Sequence, residues 1–415
     1  MDENRLFREP VPQDPINYIR QQRKSTVAGV FLLKLWILLL KQGDMIATQR
    51  GWRIVHSESS NGWGGQEHRV LAELAGFQRR GSRVWLLAAP DSQIIPRARQ
   101  TDIAVRPVNF SKLRLPLNVL QLARWLKRER IEILNTHSSR DGWLLGMAGR
   151  LAGVPLIIRT RHIDVDYPNR WVSRLAFTTF ADHLLTTSDK IARHMQTMFQ
   201  LPDARVSTVP TGINLEDFSP TGQKTDLAGV DASRPLVGMI SVLRSWKGHS
   251  TFLQAAARLR DSGFAGRFVV VGEGPFRPRI EQQIRELNLG GMVSLTGHRE
   301  DVPDVLRALS VLVIASTKHE GVPQIGLQAL ACQTPVVGSD VGGIPEIILD
   351  GKTGRIFPAQ NAGALADAIR SVLDQPELTQ NFCRQGRQLV ETKFSLEAML
   401  DKLDALYRRH VPQAG

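Results

Sequence analysis

Residues 131–162 read IEILNTHSSRDGWLLGMAGRLAGVPLIIRTRH. In this stretch an apolar run, Ile131–Thr136, is followed by an amphipathic segment, Asp141–Ala152, and then by a second apolar run, Leu156–Thr160. Short apolar strands that alternate with a helix are typical of a βαβ unit, whose strands lie in parallel because the helix carries the chain back along the sheet. The stretch therefore predicts part of a parallel sheet.

The same alternation extends along the chain. Before residue 219 it predicts strands Arg53–His56, Arg83–Ala88 and His183–Thr187 and helices Gln66–Arg80, Asn118–Arg130, Arg170–Phe180 and Lys190–Phe199. After residue 234 it predicts strands Leu236–Val242, Arg267–Gly272, Met292–Leu295, Ser310–Ala315, Pro335–Gly338 and Gly354–Phe357, and helices His249–Ser262, Pro278–Leu287, Gln324–Cys332 and Ala362–Leu373. A tail with helical periodicity, Pro376–His410, follows.

Two successive patterns of this kind predict an α/β fold of two Rossmann-like parallel-sheet lobes that face a central cleft. We expect an N-terminal extension at 1–51, a first lobe at 52–218, a linker at 219–234, a second lobe at 235–393 and a C-terminal helix at 394–415. Ligands of open parallel sheets bind beyond the carboxyl ends of the strands. The cleft between the lobes is therefore the expected binding site.

The composition narrows the class of protein. Of 415 residues, 42% are hydrophobic and 22% are charged, which is typical of a globular chain and excludes a long disordered one. The two cysteines, Cys332 and Cys383, provide neither a disulfide framework nor the paired spacing of a zinc site. The net charge is +13, of which residues 1–220 carry +11. This imbalance favours an anionic membrane surface or a nucleic acid as a partner of the first lobe.

The N-terminal extension contains an apolar run of 14 residues, Val27–Leu40, which includes Lys34. A membrane-spanning helix needs about 20 apolar residues, so this run is too short to span a bilayer and favours an interfacial helix. The alternative is that the native chain starts at Met45, because the first expected strand begins only at Arg53.

The richest cluster of candidate ligand-binding residues is EGVPQIGLQALACQTPVVGSDVGGIPE, residues 320–346. Glu320 lies in a polar loop after an expected buried strand, and a helix starts near Gln324. Backbone N–H groups at a helix start bind phosphate or hydroxyl groups, and Gln324 and Gln328 share one helix face. A carboxylate and two amides directed at one pocket suit a polyhydroxylated ligand. A polar loop with a capped helix remains the alternative.

A second cluster, SVLRSWKGH at residues 241–249, follows the first expected strand of the second lobe. Arg244 and Lys247 are three residues apart at a strand-to-helix turn, a spacing at which two cations can bind a diphosphate. Fixed positive charge there stabilises the negative charge that develops on a departing nucleoside diphosphate. The alternative is a pair of solvated cations at the start of a helix.

These two clusters resemble the donor-binding region of the family 4 (group 1) glycosyltransferases, which are retaining enzymes of GT-B fold. The family pattern has two glutamates separated by seven residues, a small-residue helix, Pro-Val-Val and a Gly-Gly-x-x-Glu turn. In this chain only the second glutamate differs, and Gln328 takes its place. The resemblance covers about residues 52–395 and makes the first lobe the acceptor side and the second lobe the nucleotide-sugar side. It also implies that the C-terminal helix, residues 394–415, crosses back to the first lobe.

The resemblance also implies roles for individual residues. Glu320 would contact hydroxyls of the donor sugar, and Gln328 would hold the ribose of the nucleotide. Arg244 and Lys247 would bind the diphosphate without a metal. Further donor-site residues implied by the match are Gly321, Val322, Gln324 and Ile325.

In the first lobe, the Gly-rich loop SSNGWGGQE, residues 59–67, permits close approach of its backbone to a ligand. Its similarity to the family's Gly-Gly-x-Glu loop places Gly64 and Gly65 at the floor of the pocket. We expect Glu58, just before the loop, to be a solvated charge. The loop matches neither the dinucleotide-binding nor the Walker motif, so neither function is supported.

Two histidines follow consecutive strands of the first lobe. A single histidine is most often structural, but His162 resembles the family's Thr-x-His, which lies beside the reacting sugar. Arg161 and His137 are weaker candidates for contact with the acceptor or a phosphate. Asp164-Val-Asp166 matches the metal-binding string of the other glycosyltransferase fold, and we interpret it as a chance match. We therefore expect no metal.

The resemblance implies a retaining, metal-independent transfer of a hexosyl or other sugar from a nucleoside-diphosphate sugar, with no further cofactor. The expected acceptor is a hydroxyl of a lipid-linked or cell-envelope glycan, such as lipopolysaccharide or polysaccharide. Alternatives are a non-catalytic binding or scaffold subunit and a sugar-nucleotide epimerase of the same fold. Nucleic-acid binding is not supported, because no stacking surface or helix-turn-helix signature is visible.

We expect a cytoplasmic protein with peripheral attachment to the inner face of the cytoplasmic membrane. The segment LARWLKRER, residues 122–130, predicts a cationic helix with an apolar face, which suits anionic lipid. The alternative is a solvated helix that packs on its own sheet. No pattern in the sequence predicts an oligomeric state.

Overall fold

The computed structural model describes residues 51–111, 115–163, 170–227 and 234–412. The apolar run Val27–Leu40, Met45 and the string Asp164–Asp166 lie outside these ranges. Within them, no helix combines the length and apolar character needed to cross a bilayer.

The first lobe is built on a sheet of seven parallel strands in the order β3-β2-β1-β4-β5-β6-β7. The strands are β1 (Arg53–Glu58), β2 (Arg83–Ala88), β3 (Ala104–Pro107), β4 (Ile133–Thr136), β5 (Leu156–Arg161), β6 (His183–Thr186) and β7 (Val206–Thr208). The helices are α1 (Gly65–Arg79), α2 (Ile94–Gln100), α3 (Leu115–Arg128), α4 (Ser139–Ala152), α5 (Arg170–Thr178) and α6 (Asp189–Phe199). The central strands β4, β5 and β6 are buried along their whole length, as expected of strands covered on both faces.

The second lobe has six parallel strands in the order β10-β9-β8-β11-β12-β13. They are β8 (Leu236–Ile240), β9 (Arg267–Val271), β10 (Val293–Gly297), β11 (Val311–Ile314), β12 (Val336–Ser339) and β13 (Arg355–Phe357). The helices that follow the linker are α7 (His249–Asp261), α8 (Arg277–Glu286), α9 (Val302–Ala308), α10 (Gln324–Ala331), α11 (Ile344–Ile347), α12 (Ala362–Asp374), α13 (Pro376–Lys393) and α14 (Leu396–His410).

These two parallel-sheet lobes confirm the predicted fold class. The elements that the pattern missed are the short edge strands β3 and β7 and the helices α2, α9 and α11, which have too few residues to show a clear periodicity. The helical tail divides into α13 and α14 because Ser395 starts a new helix, where its hydroxyl accepts the N–H of Ala398 at 3.2 Å.

The last helix, α14, returns to the first lobe. Leu400, Leu403 and Tyr407 are fully buried in the hydrophobic core that α1 and the first sheet form. A Cβ atom at Gly76 of α1 would lie only 2.4 Å from Cδ1 of Leu400, so the two helices approach closely. Trp52 also donates from Nε1 to Asp404 at 2.7 Å. The C-terminal helix α14 thus completes the hydrophobic core of the first lobe.

Each sheet has one position where the connections leave in opposite directions, between β1 and β4 and between β8 and β11. The loops that follow the two strands diverge there and leave a crevice, which is where ligands of such sheets bind. In the first lobe, one loop follows Glu58 at the end of β1, and the other begins with His137 after β4. In the second lobe the two loops carry Lys247 and Glu320. The topology therefore gathers the chemistry-bearing residues at the two crevices.

Candidate active site

The turn after β8 is pressed against the end of β11. Gly248 has a φ of 80°, and a Cβ atom there would lie 1.8 Å from the carbonyl oxygen of Ala315, so only glycine fits. The N–H of Thr317 donates to the carbonyl oxygen of Trp246 at 2.7 Å. These contacts bring the turn with Arg244 and Lys247 next to the loop that leads to Glu320.

Lys247 and Glu320 form an ion pair between the two loops. The Glu320 side chain is 8% exposed and that of Lys247 is 24% exposed. The hydroxyl of Ser316 donates to Oε1 of Glu320 at 2.6 Å. The carboxylate is thus held through Oε1 by a cation and a hydroxyl, an arrangement that fixes its position.

Arg244 does not join this pair. Its guanidinium lies over the ring of Trp246, 5.7 Å from the ring centroid, and the side chain is exposed. Of the two cations on the turn, the structure therefore places Lys247 beside Glu320 and leaves Arg244 at the surface of the same turn.

The backbone at Glu320 and Gly321 rests on the Gly-Gly pair that follows β12. Gly342 has a φ of 60°, and a Cβ atom there would lie 2.2 Å from the carbonyl oxygen of Glu320. The N–H of Gly343 donates to the carbonyl oxygen of Gly321 at 3.2 Å. The close approach explains why this turn needs small residues, and it positions the loop just before α10.

The predicted donor-site residues surround the start of α10. Val322 is buried in front of the helix, and Gln324, the first helical residue, is half-buried. Ile325 and Gln328 are half-buried on the same helix. Gln324 and Gln328 therefore lie one turn apart on the helix that follows the Glu320 loop.

The two lobes approach each other closely at the candidate site. A Cβ atom at Gly65 of the first lobe would lie 3.3 Å from Oε1 of Gln324 in the second lobe. A Cβ atom at Gly321 of the second lobe would lie 2.7 Å from the carbonyl oxygen of His162 in the first lobe. His162 thus lies across the cleft from the Glu320 loop. Gly64 precedes Gly65 as the residue before α1.

Three histidines of the first lobe form a hydrogen-bonded chain. Nε2 of His162 is 2.9 Å from Nδ1 of His137, and Nε2 of His137 is 3.0 Å from Nδ1 of His56. Burial and nearby cations lower the pKa of His137 and His162 well below the usual range, and burial lowers the pKa of His56 to about 4. His137 and His162 were singled out in the sequence, whereas His56 was not. Arg161 is buried at the end of β5.

Glu58 corrects a prediction from the sequence. It is the last residue of β1 and is fully buried, not a solvated loop charge. Its carboxylate accepts the N–H of Ser60 at 2.8 Å and the hydroxyl of Ser138 at 2.6 Å, and it contacts the amide of Gln66. Burial and the neighbouring Asp141 raise the pKa of Glu58 to about 7. The sequence missed it because the apolar run that predicts β1 ends at His56, two residues earlier.

Asp141 organises the first-lobe side of the cleft. Its carboxylate accepts the backbone N–H groups of His137 and Ser138, each at 2.9 Å, and the hydroxyl of Ser57 at 2.7 Å. It therefore caps the start of α4 and holds the backbone at His137. Burial raises the pKa of Asp141, so the first lobe places two carboxyl groups of raised pKa behind its Gly-rich loop.

A cavity of about 370 Å³ opens beside Glu320. The first lobe contributes Lys190 and His194 to its wall, and the second contributes Lys318 and His319. Lys247 and Arg244 are not part of this wall. In the described part of the chain, no group of three or more His, Cys, Asp or Glu side chains is arranged to hold a metal ion.

Family models match both lobes of the chain. The model described as "Glycosyltransferase Family 4" matches residues 63–217, and the one described as "Glycosyl transferases group 1" matches residues 227–389. Together they include every predicted site residue.

Curated relatives and solved structures agree with the family match. The alpha-D-kanosaminyltransferase of Streptomyces kanamyceticus is 29% identical over 70% of this chain and 81% of its own length. The UDP-Gal:alpha-D-GlcNAc-diphosphoundecaprenol alpha-1,3-galactosyltransferase of Escherichia coli is 25% identical over 72% of this chain and 81% of its own length. A glycosyltransferase of Rickettsia africae superposes with a TM-score of 0.79 at 19% identity, over 88% of this chain and 100% of its own. Anabaena HepE in complex with UDP and glucose superposes with a TM-score of 0.73 at 20% identity, over 86% and 99%.

Proposed function

The chain belongs to the family 4 (group 1) glycosyltransferases of GT-B fold, and from that premise we propose that it transfers a sugar from a nucleoside-diphosphate sugar to a hydroxyl of a cell-envelope glycan, with retention of anomeric configuration. The observation that carries the proposal is the ion pair of Lys247 and Glu320 at the crevice of the second lobe, with His162 of the first lobe opposite. A cation for the diphosphate and a carboxylate for sugar hydroxyls are what a nucleotide-sugar donor requires.

In the proposed reaction, the bond between the anomeric carbon and the diphosphate oxygen breaks as the acceptor oxygen attacks from the same face. The leaving diphosphate takes the electron pair of the broken bond and accepts the proton of the acceptor hydroxyl. Lys247 and Arg244 stabilise the charge that develops on the diphosphate. Glu320 and the backbone amides that follow it orient the sugar, Gln328 holds the ribose, and His162 faces the reacting carbon. No resident metal takes part in this proposal.

The nature of the acceptor is proposed from the relatives. The Escherichia coli relative is named for a diphosphoundecaprenol-linked acceptor, which supports a lipid-linked or polysaccharide acceptor for this chain. HepE is described with UDP and with UDP-glucose, which makes UDP-sugars the first donors to test.

The test begins with thermal shifts of the full chain in a panel of uridine, guanosine, adenosine and thymidine diphosphates and their sugars. Hydrolysis and transfer are then measured with each donor that binds, and NMR of the product gives the anomeric configuration. Transfer with retention supports the proposal, and inversion contradicts its mechanism. Binding without turnover of any donor favours the scaffold alternative and contradicts the proposed activity.

We further propose that α3 attaches the first lobe to an anionic membrane surface. The apolar face seen in the sequence, with Leu122 and Trp125, is buried in the core of the lobe and is not available to lipid. The outer face carries a different stripe, in which Leu117 is 64% exposed and Leu120 is 44% exposed.

Cations continue this stripe at helical spacing, with Arg124 and Lys127 exposed one and two turns beyond Leu120. Two exposed leucines beside basic side chains suit insertion at an anionic lipid surface.

Sedimentation with phosphatidylglycerol and phosphatidylcholine vesicles tests the attachment. We expect binding to the anionic vesicles only, and loss of that binding in the double variant Leu117→Ser/Leu120→Ser. Leu151→Ser is the matched control, because Leu151 is 59% exposed at the end of α4, outside the stripe. Equal sedimentation with both lipids, or equal effects of the two variants, would contradict the attachment.

A further inference from the structure

The histidine chain of the first lobe ends on a buried ion pair. Nε2 of His56 lies 3.7 Å from Oε2 of Glu73, and Glu73 is paired through its other oxygen with Nε of Arg69 at 2.6 Å. The side chains of His56, Arg69 and Glu73 are completely buried. Within the described residues, neither Nε2 of His56 nor Oε2 of Glu73 has a hydrogen-bond partner, so their contact at 3.7 Å is electrostatic.

The contact of His56 with Glu73 sets the direction of hydrogen bonding along the three histidines. Burial lowers the pKa of all three rings, although Glu73 raises that of His56, and the nearby Arg69 and Arg161 lower that of His162 further, which favours neutral imidazoles near neutral pH. A neutral imidazole has one N–H donor and one acceptor nitrogen. In a row of three neutral rings, all the N–H groups therefore donate in the same direction along the row. A carboxylate at one end can accept a hydrogen bond but cannot donate one.

An N–H group that faces a carboxylate is favoured electrostatically over a lone pair, so His56 carries its proton on Nε2, the nitrogen nearest Glu73, and accepts through Nδ1. His137 then donates from Nε2 to His56 and accepts at Nδ1 from His162. His162 consequently carries its proton on Nε2, and Nδ1 is its acceptor nitrogen. The chain extends from the core of the first lobe to the residue whose backbone adjoins Gly321.

We propose that His56, His137 and Glu73 are positioning residues that fix the tautomer and ring orientation of His162, so that His162 presents Nδ1 to the cleft as a hydrogen-bond acceptor. The proposal rests on the proposed function for the role of His162 in transfer. Its structural half, the tautomer, stands independently. An acceptor nitrogen at this position selects a hydroxyl of the donor sugar or of the acceptor as its partner, and rejects a group that can only accept.

Long-range ¹H–¹⁵N correlation spectra of the full chain with labelled histidine, at about pH 7.5, report the tautomer of each ring. A His162→Gln variant identifies the signals of His162 among the ten histidines. We expect a single Nε2–H tautomer for His162 in the parent protein. In His137→Phe, which breaks the chain without a polar substitute, we expect His162 to become a mixture of both tautomers.

Kinetics provide the second measurement, with UDP-glucose hydrolysis as the probe. We expect His137→Phe to lower kcat about tenfold while KM for UDP-glucose changes less than about twofold, because the ring is misoriented rather than removed. His56→Asn offers a milder break, since the Asn side chain still reaches His137 but disconnects Glu73. We expect a smaller loss of kcat with the same partial mixing of tautomers. The His56→Asn variant also tests the proposal if His137→Phe does not fold.

His183→Phe is the matched control. His183 is a buried histidine of β6. Its Nε2 lies 2.9 Å from the hydroxyl of Ser207, and it forms no hydrogen bond with His56, His137 or His162. It should leave the His162 spectrum and kcat unchanged. An Nδ1–H or protonated His162 in the parent, or a tautomer unaffected by both chain variants, would overturn the proposal. If the parent turns over no nucleotide sugar, the proposed function fails, and the spectra alone still decide the tautomer.

Discussion

The ammonium group of Lys247 contacts the carboxylate of Glu320, although 73 residues separate them in the sequence. The contact joins the loops after β8 and β11. These are the two neighbouring strands of the second sheet whose connections leave in opposite directions. In the proposed reaction a donor would exchange this pair for two new contacts, diphosphate with Lys247 and sugar hydroxyls with Glu320. The ion pair holds both side chains side by side, as the proposed donor contacts require.

Replacement of Lys247 by methionine tests this arrangement. Lys247→Met keeps the length of the side chain and removes the charge, so the developing charge on the diphosphate loses a fixed cation. We expect kcat for sugar transfer to fall about 100-fold. Lys352→Met, at an exposed lysine of the same lobe, is the control and should retain normal kcat. A kcat for Lys247→Met within threefold of the parent would contradict the diphosphate assignment.

The substitution Gln328→Glu restores the residue that the family pattern has at this position. A carboxylate forms a stronger hydrogen bond to a ribose hydroxyl than an amide does, by on the order of 1 kcal/mol. We expect retained activity and a donor KM that is equal or lower by up to about fivefold. Gln380→Glu, at an exposed position of α13, controls for the added charge. A complete loss of turnover would count against the ribose assignment.

The sequence alone placed most of the candidate site, for a topological reason. Lys247 and Glu320 follow strands of the second parallel sheet, His137 and His162 follow strands of the first, and the carboxyl ends of the strands in one such sheet lie at one edge. The proximity within each pair could therefore be expected from the alternation of strands and helices, whereas the approach of the two pairs depends on how the lobes pack. The side chain of Arg244 could not, because its position over Trp246 depends on packing at the surface of the turn.

The sequence did not reveal the buried polar residues at the end of β1, where the strand continues beyond the apolar run that predicts it. β1 continues through Ser57 to Glu58, and these polar residues are buried because hydroxyl and amide partners from other segments satisfy them. His56 reads as the end of an apolar run, yet it bonds a histidine 81 residues away. The apolar face of α3 was visible, but which partner covers it, lipid or the lobe itself, depends on tertiary packing.

The approach of Gly321 to His162 leads to a prediction about closure of the lobes. In Gly321→Ala, the new methyl group would lie 2.7 Å from the carbonyl oxygen of His162 and 2.7 Å from Oγ1 of Thr187, both in the first lobe. The lobes would have to move apart by a fraction of an ångström to an ångström. We expect kcat/KM for the donor to fall about tenfold or more, since misplacement on this scale disrupts reactive geometry.

Gly291→Ala controls for the change from glycine to alanine, because no atom lies within 4 Å of its new methyl group. The control should keep kcat/KM at the parent value. The thermal midpoint of Gly321→Ala should stay close to that of the control, since the strain is relieved by lobe separation rather than by unfolding. Unchanged kcat/KM in Gly321→Ala would show that the site does not need this contact.

The raised pKa of Glu58 predicts a dependence of stability on pH. In the folded chain burial and Asp141 raise the pKa of Glu58 to about 7 from its ordinary value of 4.5, so the folded state holds a proton that the unfolded state releases at lower pH. This contribution to the free energy of unfolding is complete below pH 4.5 and is lost as the pH rises through 7. Glu58→Gln removes the titration while keeping a hydrogen-bonding side chain of the same size.

We expect the variant to gain stability relative to the parent as the pH rises from about 5.5 to 8.5, by on the order of 2 kcal/mol. The buried histidines titrate in both proteins and cancel from the difference. Urea unfolding across this range provides the measurement, with the exposed Glu377→Gln as control. A pH-independent difference between Glu58→Gln and the parent would mean that Glu58 is already ionised in the folded chain.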